Sequence, residues 1–235
     1  MSHVRILVGT DDLTVANDVL RRVWGTEMPL APLEFLVAMS HTGGYVAGAF
    51  DGDEMVGASL GLLAVHRGRP ALHSHVTGLL PVARGTGLGR AIKLHQRAWA
   101  IERGLGSITW TFDPLVRRNA WFNLAVLGAR ADAYLPSFYG AMTDAINAGD
   151  ESDRLYVSWD LSDEVPSTPR DGSTHPDPIA LVPTPEDVVA LRRSDPLAVA
   201  TWRRATRRAL VSAFDAGHSI VGFTRDGNYV IGSAP

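Results

Sequence analysis

The sequence of 235 residues contains no cysteine. This absence excludes disulfides, thiolate zinc sites, iron–sulfur clusters and a cysteine nucleophile. The pair His73-x-His75 has a spacing that metal ligands use, but no third ligand stands at a suitable distance along the sequence. We therefore predict no metal site.

The chain also lacks a long apolar segment. Its longest charge-free apolar run, Met55 to Val65, is far shorter than the ~20 residues needed to span a bilayer. Residues Met1 to Val8 do not form the apolar stretch of a signal peptide. These observations predict a cytoplasmic protein without a membrane partner.

Lysine is nearly absent, and neither sign of charge is in large excess. Lys93 is the only lysine among 22 basic residues, a bias that we attribute to codon usage in a GC-rich genome. The net charge of −3 has the wrong sign for a general nucleic-acid binder. We expect no nucleic-acid partner.

The composition, 46% hydrophobic and 20% charged, is that of an ordinary globular protein. Its length allows one large domain, or one domain and a small second one. A first domain is predicted over residues 1–164, and a small α+β subdomain is predicted over 179–235. Between them, residues 165–178 are predicted to be a linker, because prolines interrupt the pattern at Pro166, Pro169, Pro176 and Pro178.

Hydrophobic periodicity and turn residues predict alternating strands and helices. The predicted strands are Val4–Gly9, Tyr45–Phe50, Met55–Val65, Ala71–Leu80, Ser107–Phe112, Ala131–Leu135, Arg154–Leu161 and Ile179–Val182. The predicted helices are Asp12–Trp24, Leu33–Ser40, Gly87–Arg103, Arg117–Leu127, a short one capped by Thr184, and Pro196–Ala216. Hairpin turns are predicted within Phe50–Glu54 and at Gly227-Asn228.

The most informative segment is the glycine loop, residues Arg84-Gly85-Thr86-Gly87-Leu88-Gly89, which follows a predicted strand and opens a predicted helix. Glycines let the backbone approach a ligand closely, and a helix N-terminus offers unpaired N–H groups to an anion. The loop therefore predicts a pyrophosphate cradle. A tight turn without a ligand remains the alternative.

Two other phosphate-binding loops fit the spacing poorly. A nucleoside triphosphatase loop needs Gly-Lys-Ser/Thr, whereas Lys93 lies inside the helix. A dinucleotide-binding loop starting at Gly85 would need glycine at Arg90, and some 80 residues would precede its first βαβ unit. A dinucleotide oxidoreductase is therefore only a third hypothesis.

The pattern Arg84-x-x-Gly87-x-Gly89, with Pro81 and Leu79 before it, resembles the acyl-CoA signature of the GNAT superfamily of N-acyltransferases. The order of predicted elements over residues 4–161 is similar to that superfamily. The chain also resembles a bacterial branch of this superfamily that has a C-terminal extension. This likeness rests on the segments Trp110–Pro114, Asn119–Asn123 and Leu127–Ala129. The resemblance implies an α/β fold with a mixed, splayed sheet flanked by helices, plus the C-terminal subdomain.

The resemblance also implies how a donor, acetyl-CoA, would bind. Leu79 and Leu80 would line the pantetheine arm, with their backbone stabilising the oxyanion, and Arg84, Gly85, Thr86, Gly87, Leu88 and Gly89 would hold the pyrophosphate. Asn119 and Asn123, one turn apart on a predicted helix, could contact the pantetheine amides or instead cap or bridge loops.

Candidate proton-transfer groups lie on two strands. Strict alternation places His73, His75 and Thr77 on one face of their strand, and Ser74, Val76 and Gly78 on the other. Histidine transfers protons near neutral pH, although either ring could be a half-buried sheet residue. Asp113 ends the next strand, where it could bind a cationic acceptor or cap a turn before Pro114.

The resemblance places the thiolate-protonating tyrosine of the family four residues before Gly128, where this chain has Leu124. Tyr134, Tyr139 or water would have to replace it.

Two predicted helices have basic faces. Arg90, Lys93 and Arg97 share a helical face that could contact the ribose phosphate or be solvated. In the last helix, a basic stripe is expected to face solvent, or an acidic partner, opposite an apolar stripe that packs on the first domain or a second copy of the chain. The basic residues are Arg203, Arg204, Arg207 and Arg208, and the apolar ones are Trp202, Ala205, Ala209, Leu210, Ala213 and Phe214.

The sequence thus predicts transfer of an acetyl group from acetyl-CoA to a small-molecule amine by direct attack. A catalytically inactive CoA-binding sensor or scaffold is the alternative, because the expected tyrosine is missing. A homodimer is possible.

Overall fold

A computed structural model describes residues 1–140 and 150–233 of the chain. They form two compact units, Met1–Thr109 and Trp110–Pro235. This division falls much earlier than residue 164, where the proline content places the first domain's end. In the described part of the chain, no helix is long and apolar enough to cross a membrane.

Unit 1 is a sheet with helices packed on it. Its elements in chain order are β1 (Ser2–Ile6), α1 (Thr10–Trp24), α2 (Leu33–His41), β2 (Tyr45–Asp51), β3 (Glu54–His66), β4 (Arg69–Leu79) and α3 (Leu88–Glu102), followed by β5 (Ser107–Phe112), which runs across the division. Strands β1 to β4 pair in sequence order and antiparallel. The hairpin predicted within Phe50–Glu54 is confirmed by the pair Asp51 and Glu54.

The sheet is mixed because β4 and β5 are parallel. They pair only where Ala71–His73 meets Ser107–Thr109. From Ser74 to Leu79 this edge of β4 has no strand partner within residues 1–140 and 150–233. The expected splay of the sheet is therefore present, directly before the glycine loop.

Two apolar clusters hold unit 1 together. The larger one, which we call the α1–α2 cluster, joins α1 and α2 to one face of the sheet and includes Leu13, Leu20, Leu36 and Leu60. The smaller one packs Leu88 and Ile92 of α3 against Ala49 and Val56. Burying each such side chain contributes about 1.5–3 kcal/mol, so α3 is fixed against the sheet directly after the glycine loop.

Unit 2 contains two groups of strands. Helix α4 (Arg117–Ala120) continues into a π-helical segment, Trp121–Val126, and β6 (Arg130–Leu135) pairs antiparallel with β7 (Arg154–Asp160). The C-terminal elements are β8 (Ala180–Pro183), α5 (Val188–Ser194), α6 (Pro196–Asp215), β9 (His218–Phe223) and β10 (Asn228–Ser233). They form a three-stranded sheet in the order β8-β10-β9, and the hairpin predicted at Gly227-Asn228 is confirmed.

The proline-containing stretch 165–178 makes specific contacts. The N–H of Arg170 donates to the carbonyl of Ala125, and Asp171 forms a bridge with Phe223 of β9. Gly172 lies so close to Phe223 and Val230 that a Cβ would come within 2.8 Å of each. This segment therefore joins β9 and β10 to the π-helical segment.

The predicted cap of α5 is wrong. The carboxylate of Asp187 accepts hydrogen bonds from the N–H groups of Val189 and Ala190, so Asp187 is the N-cap. The hydroxyl of Thr184 instead donates to the carbonyl of Gly227 in the hairpin turn. Both residue types cap helices, and the sequence alone does not show which one the backbone places at the helix start.

Candidate functional site

The glycine loop has the geometry of an anion cradle. Gly85 and Gly87 have φ values of +79° and +90°, a region that favours glycine. A Cβ at either position would meet nothing within 4 Å, so the loop is open to a ligand. The first N–H groups of any helix lack intrahelical partners. At α3 the N-cap is Gly87, which has no side chain to accept a hydrogen bond from them. Unpaired N–H groups and the helix dipole together favour a phosphate.

The side chains of the loop have separate roles. Arg84 is exposed, with Nε 3.4 Å from the carbonyl of Leu79. The hydroxyl of Thr86 donates to the carbonyl of Ala83 at 2.8 Å and closes the turn. Leu88 is buried in the smaller apolar cluster of unit 1, so only its backbone can meet a ligand. A Cβ at Gly89 would lie in ordinary contact with Leu79, 3.7 Å from Cδ1.

Leu79 and Leu80 do not share the role expected of them. The N–H of Leu80 donates to the carbonyl of Val56 at 2.8 Å, and its side chain is buried in the α1–α2 cluster. Antiparallel pairing alternates hydrogen-bonded and non-bonded pairs, so the N–H of Leu79 points to the edge of β4 that lacks a strand partner. Of these two residues, therefore, Leu79 has a backbone donor aimed at the open edge and Leu80 does not.

The expected alternation along β4 is wrong because the strand contains a β-bulge. Leu60 pairs with Val76 and Gly61 pairs with Ser74, which leaves His75 as the extra residue. A bulge adds one residue to one strand and reverses the alternation beyond it. His73 therefore shares its face with Val76 and Gly78, and Ser74 shares the opposite face with Thr77.

Contacts on the two faces establish this arrangement. A Cβ at Gly78 would meet Trp24 and Val23 of α1. On the other face, the amide of Gln96 on α3 donates to Ser74 Oγ at 3.0 Å. Val76 packs in the α1–α2 cluster.

The two histidines remain neighbours, with ring centroids 6.2 Å apart. His73 Nδ1 lies 3.1 Å from Thr109 Oγ1 on β5, which orients the ring. Burial lowers the pKa of His73, and the positive charges that His75 and Lys93 can carry lower it further. Burial also lowers the pKa of His75. Both imidazoles are therefore neutral, and able to accept a proton, to a lower pH than an ordinary histidine.

Lys93 does not face solvent, contrary to expectation. Its side chain is buried beneath β4, and Nζ donates to Ser74 Oγ at 2.9 Å. Burial lowers the pKa of Lys93 to about 7. A contact with a ribose phosphate does not fit this position.

In unit 2, Asp113 is held in a buried cluster of ion pairs. Its carboxylate accepts hydrogen bonds from Arg192 on α5 and Arg203 on α6, and both guanidiniums also bind Asp150. Burial raises the pKa of Asp113, but the hydrogen bonds and charges of Arg203 and Arg192 outweigh it and lower the pKa overall. With its oxygens engaged in this way, Asp113 has a structural role and does not fit a site for a cationic acceptor.

The two asparagines do not present a common face. Asn119 is exposed, whereas Asn123 is buried and its Oδ1 accepts from Trp110 Nε1 at 3.1 Å. Asn119 lies in α4, and Asn123 lies in the π-helical segment that follows it. The bond to Trp110 fixes Asn123 against β5, and Asn119 remains the accessible amide.

Of the candidate tyrosines, only Tyr139 is accessible. The Tyr134 hydroxyl donates to Asp153 at 2.5 Å, and burial, reinforced by Asp153, raises its pKa. Tyr139 is 40% exposed, and its hydroxyl lies 3.2 Å from Thr111 Oγ1 on β5. Leu124 is buried, and its side chain has no ionisable proton to donate.

Comparison with known proteins identifies the fold. No family model and no curated protein matches the sequence. Among solved structures, a putative acetyltransferase from Salmonella typhimurium with acetyl-CoA has a TM-score of 0.56 at 14% identity, covering 71% of this chain and 97% of its own. The ribosomal-protein-S18-alanine N-acetyltransferase from Escherichia coli has a TM-score of 0.54 at 14% identity, covering 71% and 98%. The S5-alanine acetyltransferase from Vibrio fischeri has 0.54 at 17%, covering 70% and 96%.

These identities are low, so the likeness concerns the fold. The chain has the mixed, splayed sheet of the GNAT acyl-CoA N-acyltransferases, as the glycine-loop pattern predicts.

Proposed function

We propose that this protein transfers an acetyl group from acetyl-CoA to a small-molecule amine by direct attack. The observation that carries the proposal is the open glycine loop at the N-terminus of α3, directly after the unpartnered edge of β4. The Salmonella structure, described with its cofactor acetyl-CoA, supports this choice of donor.

The reaction assigns one role to each group. The neutral amine nitrogen attacks the thioester carbonyl carbon, and the C–S bond breaks. In this proposal the N–H of Leu79 stabilises the negative charge that develops on the carbonyl oxygen. His73 accepts the amine proton, with His75 as its neighbour, and water returns a proton to the leaving thiolate.

Acetyl-CoA is expected to bind and to raise the melting temperature, and Gly87→Asp is expected to abolish that shift. The variant brings a side chain and a negative charge into the cradle, at a φ of +90°. Gly43→Asp is a matched control, because Gly43 has a φ of +88°, equally open surroundings and no place in the loop. Calorimetric titration measures the affinity of each variant for acetyl-CoA, and thermal melting with and without acetyl-CoA measures the shift. Equal affinity in wild type and Gly87→Asp would refute the cradle.

His73→Gln is expected to lower kcat/KM for a high-pKa amine by about 10² to 10⁴, the range for general base catalysis. Such an amine, with a pKa of ~10.4, is neutral in only about one part in 10³ at pH 7, so a base matters most there. The deficit should shrink as the assay pH approaches the amine pKa. Because burial lowers the pKa of His73, the acid limb of the wild-type profile should lie below the ordinary histidine range. His75→Gln is assayed in parallel, and a deficit independent of pH in both variants would make the histidines structural.

CoA binding without turnover is the second candidate function. Two observations favour it: Leu124 is buried where the family's tyrosine would stand, and the hydroxyl of Tyr134 donates to Asp153. An amine panel assayed for free thiol release separates the two. Release above the rate of donor hydrolysis supports the enzyme, and tight binding with no release supports the sensor.

A further inference from the structure

Polar side chains of α3 and β3 contact β4 on both sides of its bulge. Gln96 Nε2 donates to Ser74 Oγ, one residue before His75, and to Ser59 Oγ on β3 at 2.9 Å. Ser59 Oγ in turn donates to the carbonyl of Val76 at 3.1 Å, one residue after His75. We call the group formed by Ser59, Ser74, Thr77, Lys93 and Gln96 the α3–β4 network.

The two remaining members complete this network. Thr77 Oγ1 lies 2.7 Å from Ser59 Oγ. Lys93 Nζ donates to Ser74 Oγ at 2.9 Å. These hydrogen bonds therefore all lead to Ser74 or Val76, the residues on either side of His75, either directly or through Ser59.

The network is costly for folding if it serves stability alone. Gln96 and Ser59 are fully buried, and Lys93 and Ser74 are nearly so. Burying polar groups loses their bonds to water, and apolar side chains of the same size would seal a helix against a sheet with no such loss. Hydrogen bonds, unlike apolar contacts, fix direction as well as distance. The arrangement is therefore suited to holding an irregular backbone in one conformation.

We propose that Gln96 is a positioning residue, which acts through Ser74 and Ser59 to hold the β4 bulge and so aims His73, His75 and the edge N–H groups beyond them. This inference rests on the proposed acetyl transfer for its catalytic consequence. A bulge free to shift by one residue would turn these groups to the other face of the strand.

The test compares Gln96→Met and Ser59→Ala with Tyr45→Phe. Tyr45→Phe is a matched control, because it removes a partly buried hydrogen bond of 2.8 Å between Tyr45 of β2 and His95, the α3 residue next to Gln96. Amide hydrogen exchange of residues 71–80 is measured without ligand, together with the acetyl-CoA Kd, kcat and KM. Faster exchange is expected in Gln96→Met and Ser59→Ala but not in Tyr45→Phe. We expect kcat to fall by about 10- to 100-fold, since a displacement of about 1 Å costs that much, with an unchanged Kd.

Two results would overturn the inference. One is unchanged exchange of residues 71–80 in both Gln96→Met and Ser59→Ala, and the other is an equal increase in Tyr45→Phe. If Gln96→Met does not fold, the milder Ser59→Ala decides. The exchange measurement needs no turnover, so it judges the bulge even if wild-type protein acetylates no amine, an outcome that contradicts the proposed function instead.

Discussion

Replacing Arg203 by methionine is expected to lower the free energy of unfolding by about 3–5 kcal/mol, the usual effect of removing one partner from a buried ion pair. Arg203 is 1% exposed and binds the carboxylates of Asp113 and Asp150. Without it, the two buried carboxylates lose one of the two guanidiniums that form these ion pairs with them. Urea unfolding followed by circular dichroism measures the loss.

Arg204→Met is the matched control for this prediction. Arg204 is the next residue on α6 and is exposed. Among the described residues, its side chain makes one hydrogen bond, to Thr201 Oγ1 at 3.3 Å. Its replacement should change the free energy of unfolding by less than about 0.5 kcal/mol. A similar small change in both variants would show that the buried cluster contributes nothing to stability.

The pH dependence of the Arg203 effect has a definite sign. Arg203 and Arg192 hold the pKa of Asp113 below its usual value. The stability gained from this carboxylate is therefore present above its unfolded-state pKa and is lost as the pH falls through its folded-state pKa. The difference between wild type and Arg203→Met should accordingly narrow in acid.

The basic stripe of α6 shows why sequence patterns misplace such arginines. Arginine is mostly exposed in proteins, so four arginines opposite apolar residues indicate a solvated face. The buried face of α6 instead contains Val199, Arg203, Thr206 and Leu210, which recur at helical spacing. The carboxylates that make this burial possible are 53 and 90 residues away in sequence, so no local pattern reveals them.

The helices and strands themselves are predictable because their signals are local. Three glycines after a predicted strand identify the glycine loop, and the structure shows a strand, the loop and α3 in that order. The bulge at His75 has no such local signal, because it requires no particular residue type at that position. The contacts that accompany it come from other elements: Lys93 and Gln96 of α3 bond to Ser74, and Gln96 also bonds to Ser59 of β3. These contacts depend on the tertiary fold.

The largest effect is expected from deleting residues 175–235. The deletion removes Arg192, Arg203 and Arg207, and so leaves Asp113, Asp150 and Asp153 without these partners. It also uncovers the apolar cluster in which Leu115 and Val116 pack against α5 and α6. We expect the truncated protein to aggregate, or to melt without a cooperative transition in differential scanning calorimetry.

The reason lies in how few contacts the C-terminal segment could use alone. Some 60 residues are near the size below which a core rarely stabilises itself. Here Tyr229 donates its hydroxyl to the carbonyl of Pro114, and Trp202 packs against the cluster that contains Leu115. We therefore propose that residues 179–235 complete unit 2 and do not fold as a separate module. A truncated protein that melts cooperatively at the full-length temperature, and binds acetyl-CoA with the same Kd, would show the opposite, because neither property could survive the loss of contacts that the fold requires.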